Sequence, residues 1–302
     1  MFYCYRPAMS APETSSSALR SPAQIVGYIA HAGAEKARLH PGRLIGIAVL
    51  GGMFIGIGTI LAVIVAGGCT GLAASNPGLV KFIFGALFPL GFIAVTLTGA
   101  DLFTSNCALG ASAVLRGELG VGEMLKFWLL SYFGNFIGAV GAAYFLVYLT
   151  HLITPGDPAT AYLIGIAQGK TSHPFMMTFM KGVLANVLVC VATMQGYSAK
   201  DTFGRVLGIW FPVMAFVTLG MEHSIANMFI IPAAMLGGLD VSWGHFIVAN
   251  LIPATLGNIV GGALVIGLPY TLIYGEQNAP RFGRPRPQAK AEAEQGVPDT
   301  VK

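Results

Sequence analysis

Six apolar stretches dominate the chain, near 44–68, 82–115, 124–152, 174–195, 206–238 and 245–273. Each is long enough to cross a hydrocarbon core about 30 Å thick, which takes roughly 20 helical residues. Six such stretches in one chain of 302 residues point to a polytopic membrane protein and exclude an ordinary water-soluble domain. Composition agrees, because only 10% of the residues are charged, against roughly 25% in a soluble domain. The 40 glycines suit helices whose backbones approach closely in lipid.

The second and fifth stretches are too long for one straight helix, and each is interrupted by a polar run. These runs are Asp101-Leu102-Phe103-Thr104-Ser105-Asn106 and Glu222-His223-Ser224-Ile225-Ala226-Asn227. The two halves of the chain also match. Gly85-x-x-Phe88-Pro89 pairs with Gly208-x-x-Phe211-Pro212, Gly99-x-Asp101 with Gly220-x-Glu222, Asn106 with Asn227, and Gly134-Asn135-x-x-Gly138 with Gly257-Asn258-x-x-Gly261. Three spans per half, in repeats of about 44–152 and 174–273, force the second half to enter the membrane upside down. The pattern predicts an all-α membrane protein, an inverted 3+3 repeat of six transmembrane helices with helices 2 and 5 broken near the midplane. Irregular backbone at that depth is tolerated only where it is buried in protein or lines a cavity, so the breaks should border a pore. Each break also starts a half-helix whose free amides carry partial positive charge and favour small anions.

Lysine and arginine sort by side. Fourteen lie before the first span, between spans 2 and 3, between spans 4 and 5 or after the last, whereas the opposite side has Lys81 and Lys170, with Lys181 inside span 4. This bias places both termini in the cytoplasm. Residues 1–20 and 275–302, rich in Pro, Ser, Ala and charge, read as flexible tails. Between the first tail and span 1, Ser21-Pro22 opens an amphipathic interfacial helix over 21–40. The four cysteines show no ligand spacing, and neither a cofactor nor a metal set nor a nucleic-acid surface is suggested.

His223, ionisable and at membrane depth, is the sharpest functional candidate. Asp101 and Glu222 are expected to cap the half-helices, with Asn106 and Asn227 satisfying the unwound backbone. Lys170, in the outer loop, could concentrate an anion. Lys181 should snorkel outward or pair with a polar group. Phe88, Phe211 and Phe216 could be core or hydrophobic gates.

The strings GADLFTSN and GMEHSIANMFIIP, with KGVLANVLVC between them and SPAQIV near the start, resemble the formate/nitrite transporter family over roughly residues 21–274. The resemblance implies an aquaporin-like protomer with its own pore, assembled as a homopentamer in the inner (plasma) membrane. By motif position it implies that Leu102, Phe103 and Thr104 form the loop of broken span 2 and that Thr104 faces His223 in the pore. Asn186 would be the pore asparagine and Lys170 the outer-vestibule lysine. Phe88, Phe92, Leu102, Phe103, Val189 and Phe216 would form apolar constrictions, Phe92 standing where the family often has leucine.

The function so implied is passage of a small monovalent weak-acid anion, formate first, with a proton. Nitrite, hydrosulfide and lactate remain open. His223 would supply or relay the proton, or donate a hydrogen bond while staying neutral. A neutral-solute channel of the aquaporin type lacks its Asn-Pro-Ala signature here, and an enzyme built on Asp101, Glu222 and His223 lacks a nucleophile or metal set.

Overall fold

A computed structural model describes residues 19–275; the expected tails lie outside these residues except for Leu19, Arg20 and Gly275. The described chain is helical, with one isolated bridge between Leu19 and Ala199. Apart from a single short turn of helix over Thr70–Ser75, its helices are α1 (Pro22–Ala37), α2 (Pro41–Gly68), α3 (Pro77–Thr98), α4 (Phe103–Leu115), α5 (Val121–Leu149), α6 (Pro158–Ser172), α7 (Phe175–Ser198), α8 (Thr202–Thr218), α9 (Ser224–Leu236) and α10 (Trp243–Tyr274). Five of them, α2, α3, α5, α7 and α10, are long and apolar enough to cross a membrane. The stretch expected as a fifth broken span, 206–238, divides between the shorter apolar helices α8 and α9.

Both breaks have one local cause. Gly99 ends α3 at φ 79° and Gly220 follows α8 at φ 67°, a left-handed conformation open to glycine because it has no Cβ. The chain then runs extended through Leu102 (φ −135°, ψ 119°) and through His223 (φ −103°, ψ 113°) before α4 and α9 begin.

α1 begins where the sequence places it. Ser21 Oγ accepts from the Gln24 amide at 3.4 Å, and Gln24 Oε1 accepts from the Ser21 amide at 2.9 Å, a reciprocal cap. Its apolar face does not wait for lipid, however. Val26, Ile29, Ala30, Gly33 and Ala34 are buried against α4 and α7, and a Cβ on Gly33 would come within 2.6 Å of the Leu109 carbonyl oxygen. The helix is docked on protein because its small residues match the backbone of α4.

The outer loop expected around Lys170 is also a helix. Asp157-Pro158 supplies a start for α6, and Lys170 lies in its last turn. Two glycines in its second half, Gly165 and Gly169, lower helix propensity and hide the helix from a reading by composition.

Candidate functional site

The unwound backbone at each break is held by one asparagine from the last long helix of its half. Asn135 on α5 accepts from the Phe103 amide at 2.9 Å and donates to the carbonyls of Ala48 at 2.7 Å and Asp101 at 2.9 Å. Asn258 on α10 accepts from the Ser224 amide at 2.8 Å and donates to Gly182 at 2.8 Å and Glu222 at 2.9 Å. The Asp101 amide reaches the Ile47 carbonyl at 3.0 Å, and the Glu222 amide reaches that of Lys181 at 3.4 Å. Each asparagine thus supplies, in one planar group, the acceptor and one donor that the break has lost, and its second donor ties the break to a neighbouring long helix, α2 or α7.

The carboxylates do something other than the expected capping. Asp101 accepts from Lys36 Nζ at 2.7 Å, Asn106 at 2.7 Å and Ser131 at 2.5 Å. Glu222 accepts from Lys170 Nζ at 3.1 Å, Asn227 at 2.7 Å and Asn250 at 3.1 Å. Neither side chain takes a half-helix amide, and Asn106 and Asn227 serve the carboxylates rather than the unwound backbone. The reason is position: each carboxylate sits beside a lysine from the short helix that opens its half, and a buried anion is held best by a cation with hydrogen bonds on its remaining lone pairs. Lys170 is consequently no free vestibule charge, being 12% exposed against a Glu222 that is 1% exposed.

Between the breaks, Thr104 Oγ1 and His223 Nε2 lie 2.9 Å apart. His223 is also the N-cap of α9, its Nδ1 accepting from the Ala226 amide at 3.0 Å. That second bond assigns the tautomer, since a nitrogen accepting an amide proton carries none of its own. The one ring proton of the neutral imidazole is therefore on Nε2, directed at Thr104. Phe216 stacks on the imidazole at 5.6 Å between ring centroids, and Phe88 meets Phe216 edge-on at 5.9 Å. A cavity of about 520 Å³ leads to this cluster, lined by Lys81, Phe84, Tyr162, Lys170, Phe88, Phe216 and His223 among others.

Phe92, Leu102, Phe103 and Val189 are buried but do not line that cavity. The Phe103 ring stands against Tyr132 at 4.9 Å and Trp128 at 6.4 Å, so it packs on α5. Asn186 donates to the carbonyls of Thr104 at 3.0 Å and Asn258 at 2.6 Å, tying α4 to α10 beside the histidine. Phe211, the repeat partner of Phe88, is 57% exposed and takes no part. Lys181 pairs with His173 Nε2 at 2.9 Å; burial and then this cation hold the His173 pKa below its ordinary value.

The sequence model described as Formate/nitrite transporter matches residues 23–272. The chain belongs to the formate/nitrite transporter family. A probable formate transporter of Methanothermobacter thermautotrophicus is 37% identical to it over 273 residues, 85% of this chain and 98% of that one. Formate channel FocA of Escherichia coli K12 is 33% identical over 275 residues, 85% and 95% of the two chains. A solved pentameric formate channel with formate bound superposes with a TM-score of 0.66 at 32% identity, over 81% of this chain and 99% of its own. A family of membrane transporters and channels replaces the enzyme alternative.

In this family member the sequence does not single out Lys36, and Asn135 and Asn258 stand in it as repeat matches without a task. Lys36 and Lys170 each precede a His-Pro pair, His40-Pro41 and His173-Pro174, a signal by which the short helices can be joined to the repeat. Burial is the largest influence on the Lys36 ammonium and works against it, but the Asp101 charge, the Tyr197 phenolate and the hydrogen bond to Asp101 together outweigh it, so its pKa lies above the ordinary 10.5. A raised lysine pKa means the pair stabilises fully below about pH 10.5 and is lost as pH climbs through the folded value. Thermal melting in detergent should accordingly be insensitive to this pair from about pH 7 to 10 and fall above that range. Lys36→Met at neutral pH should cost about 2–3 kcal/mol, less than the 3–5 of a fully buried pair because Lys36 is 24% exposed. Adding Asp101→Asn should recover part of the loss.

Proposed function

We propose that the protein is an integral inner (plasma) membrane transporter for small monovalent weak-acid anions, formate first, that move together with a proton. The observation that carries this reading is the Thr104–His223 pair at 2.9 Å behind the Phe88–Phe216 contact, at the end of a cavity lined by lysine. In this reading α3 with α4 and α8 with α9 are two interrupted spans, giving six spans in an aquaporin-like inverted repeat with both termini cytoplasmic. The matched asparagines and lysine–carboxylate pairs of the two halves support it. Five chains would stand side by side in a homopentamer, each with its own pore, as in the pentameric formate channel that the chain resembles.

Magnitudes favour the neutral acid as the form that crosses the rings. Protonating a carboxylate of pKa about 4 at pH 7 costs about 4 kcal/mol. Carrying the bare anion into a low-dielectric constriction costs far more, of the order of tens of kcal/mol for an isolated ion. Loss of water raises the substrate's own pKa, so the proton can come from the vestibule water. His223 would then act as a neutral donor: its Nε2–H can turn from Thr104 to the substrate oxygen. A relay through the ring would need a proton on Nδ1, and that would release the Ala226 amide and the cap of α9.

Uptake by proteoliposomes of formate, nitrite, hydrosulfide and lactate, with internal pH recorded, tests the reading. Formate entry should rise as external pH falls from about 7 to 5 and should acidify the lumen one proton per ion. Flux that carries net current and ignores pH would overturn the proton-linked mechanism, and preference for another of these anions would replace formate as substrate.

A further inference from the structure

The cavity in front of the filter formed by Phe88, Phe216 and His223 is much larger than the substrate just proposed. Its volume of about 520 Å³ compares with about 30 Å³ for the share of one water in the liquid, and formate has three heavy atoms. It falls instead in the range of sites that take organic ligands, roughly 300–1,000 Å³ with apolar walls and a few polar groups. The wall supplied by α3 grades from charge to ring. Lys81, Phe84 and Phe88 line the cavity at helical spacing, so the backbone of Lys81 stands about 10 Å along the helix from that of Phe88. Phe84 meets Tyr162 of α6 edge-on at 5.8 Å, and these two rings form the apolar wall between.

Lys81 differs from the other lysine of the cavity. Lys170 is bonded to Glu222, whereas Lys81 is exposed and forms no ion pair with any described residue. A cation without a carboxylate, one turn from an aromatic wall, is complementary to an anion with a ring attached to it. The filter beyond offers such a ring no passage, since Phe88 and Phe216 are already in edge-to-face contact at 5.9 Å.

We propose that this vestibule binds monocarboxylates bearing an apolar group of about phenyl size, with Lys81 taking the carboxylate and Phe84 and Tyr162 the ring, and that these anions occupy it without crossing. That they block transport rests on the proposed function; that they bind does not.

The probe is 4-fluorobenzoate, followed by fluorine NMR on the full-length protein in detergent at about pH 8, where a carboxylic acid is fully ionised. Saturable line broadening is expected, with affinity falling at least fivefold in Lys81→Gln and in Phe84→Ala and held within twofold in Lys81→Arg. Absence of saturation, or equal broadening in the wild type, Lys81→Gln and Phe84→Ala, would mean partition into detergent and overturn the proposal. In proteoliposomes, benzoate on the vestibule side should inhibit formate entry competitively. Saturable, Lys81-dependent binding to a protein that passes no formate would overturn the transport reading while upholding the site. Normal formate flux without fluorobenzoate binding would do the reverse.

Discussion

Replacing Asn258 with leucine is expected to unfold the second break, at a cost of about 4 kcal/mol. The side chain makes three bonds, to the Ser224 amide and to the Gly182 and Glu222 carbonyls. Leucine has a similar volume and would leave the Ser224 amide and the Glu222 carbonyl buried without partners, each costing about 1–3 kcal/mol, whereas the Gly182 carbonyl, inside α7, keeps its intrahelical bond. Lipid offers no substitute partner, so the penalty should not relax as it would at a water-facing site. Asn135→Leu should behave the same way at the first break, where the Phe103 amide and the Ala48 and Asp101 carbonyls are held. Purified yield and the melting temperature in detergent measure the effect. Asn258→Asp is the sharper control: it keeps the acceptor for Ser224 but sets oxygen against two carbonyls, so it should fail nearly as badly as leucine. Near-normal melting of both variants would show that the break is held by packing and not by this side chain.

His223→Leu should lower formate uptake about a hundredfold, the usual cost of deleting one oriented donor at a reacting site, whereas His223→Asn should stay within about tenfold of wild type. Asparagine offers both functions seen for the ring, an N-cap acceptor for the Ala226 amide and an N–H donor toward Thr104, although it cannot hold an extra proton. Uptake by the asparagine variant should therefore still rise as pH falls, because in this mechanism the proton travels on the substrate. A relay predicts otherwise: asparagine and leucine would be equally inactive, and that result would return the proton to His223. Intact oligomer on size exclusion separates lost transport from lost fold in either variant.

Much of this architecture is legible in the residues themselves, and for a local reason. Hydrophobic length announces a span, a polar run within it announces a break, and Gly99 and Gly220 mark where each break starts, because those properties belong to neighbouring residues. His223 stands out by the same logic. The repeat even points to Asn135 and Asn258, yet a pair of matched asparagines has no stated task until the carbonyls and amides around them are known. The capping role expected of Asp101 and Glu222 fails at this point. Sequence proximity to α4 and α9 suggests it, but their partners, Lys36 and Lys170, are 65 and 52 residues away.

That this chain spans a membrane, that its halves match, and that each half is interrupted at a similar polar run, acidic residue first and asparagine five residues later, all follow from the order of the amino acids. Those are consequences of transfer free energy and backbone chemistry, which act residue by residue. Which groups satisfy the interrupted backbone, which lysine neutralises which carboxylate, and which phenylalanines close on His223 are settled by tertiary packing alone. Each of these is a contact between helices far apart in the chain, and a hydrogen bond forms only where packing brings donor and acceptor to about 3 Å.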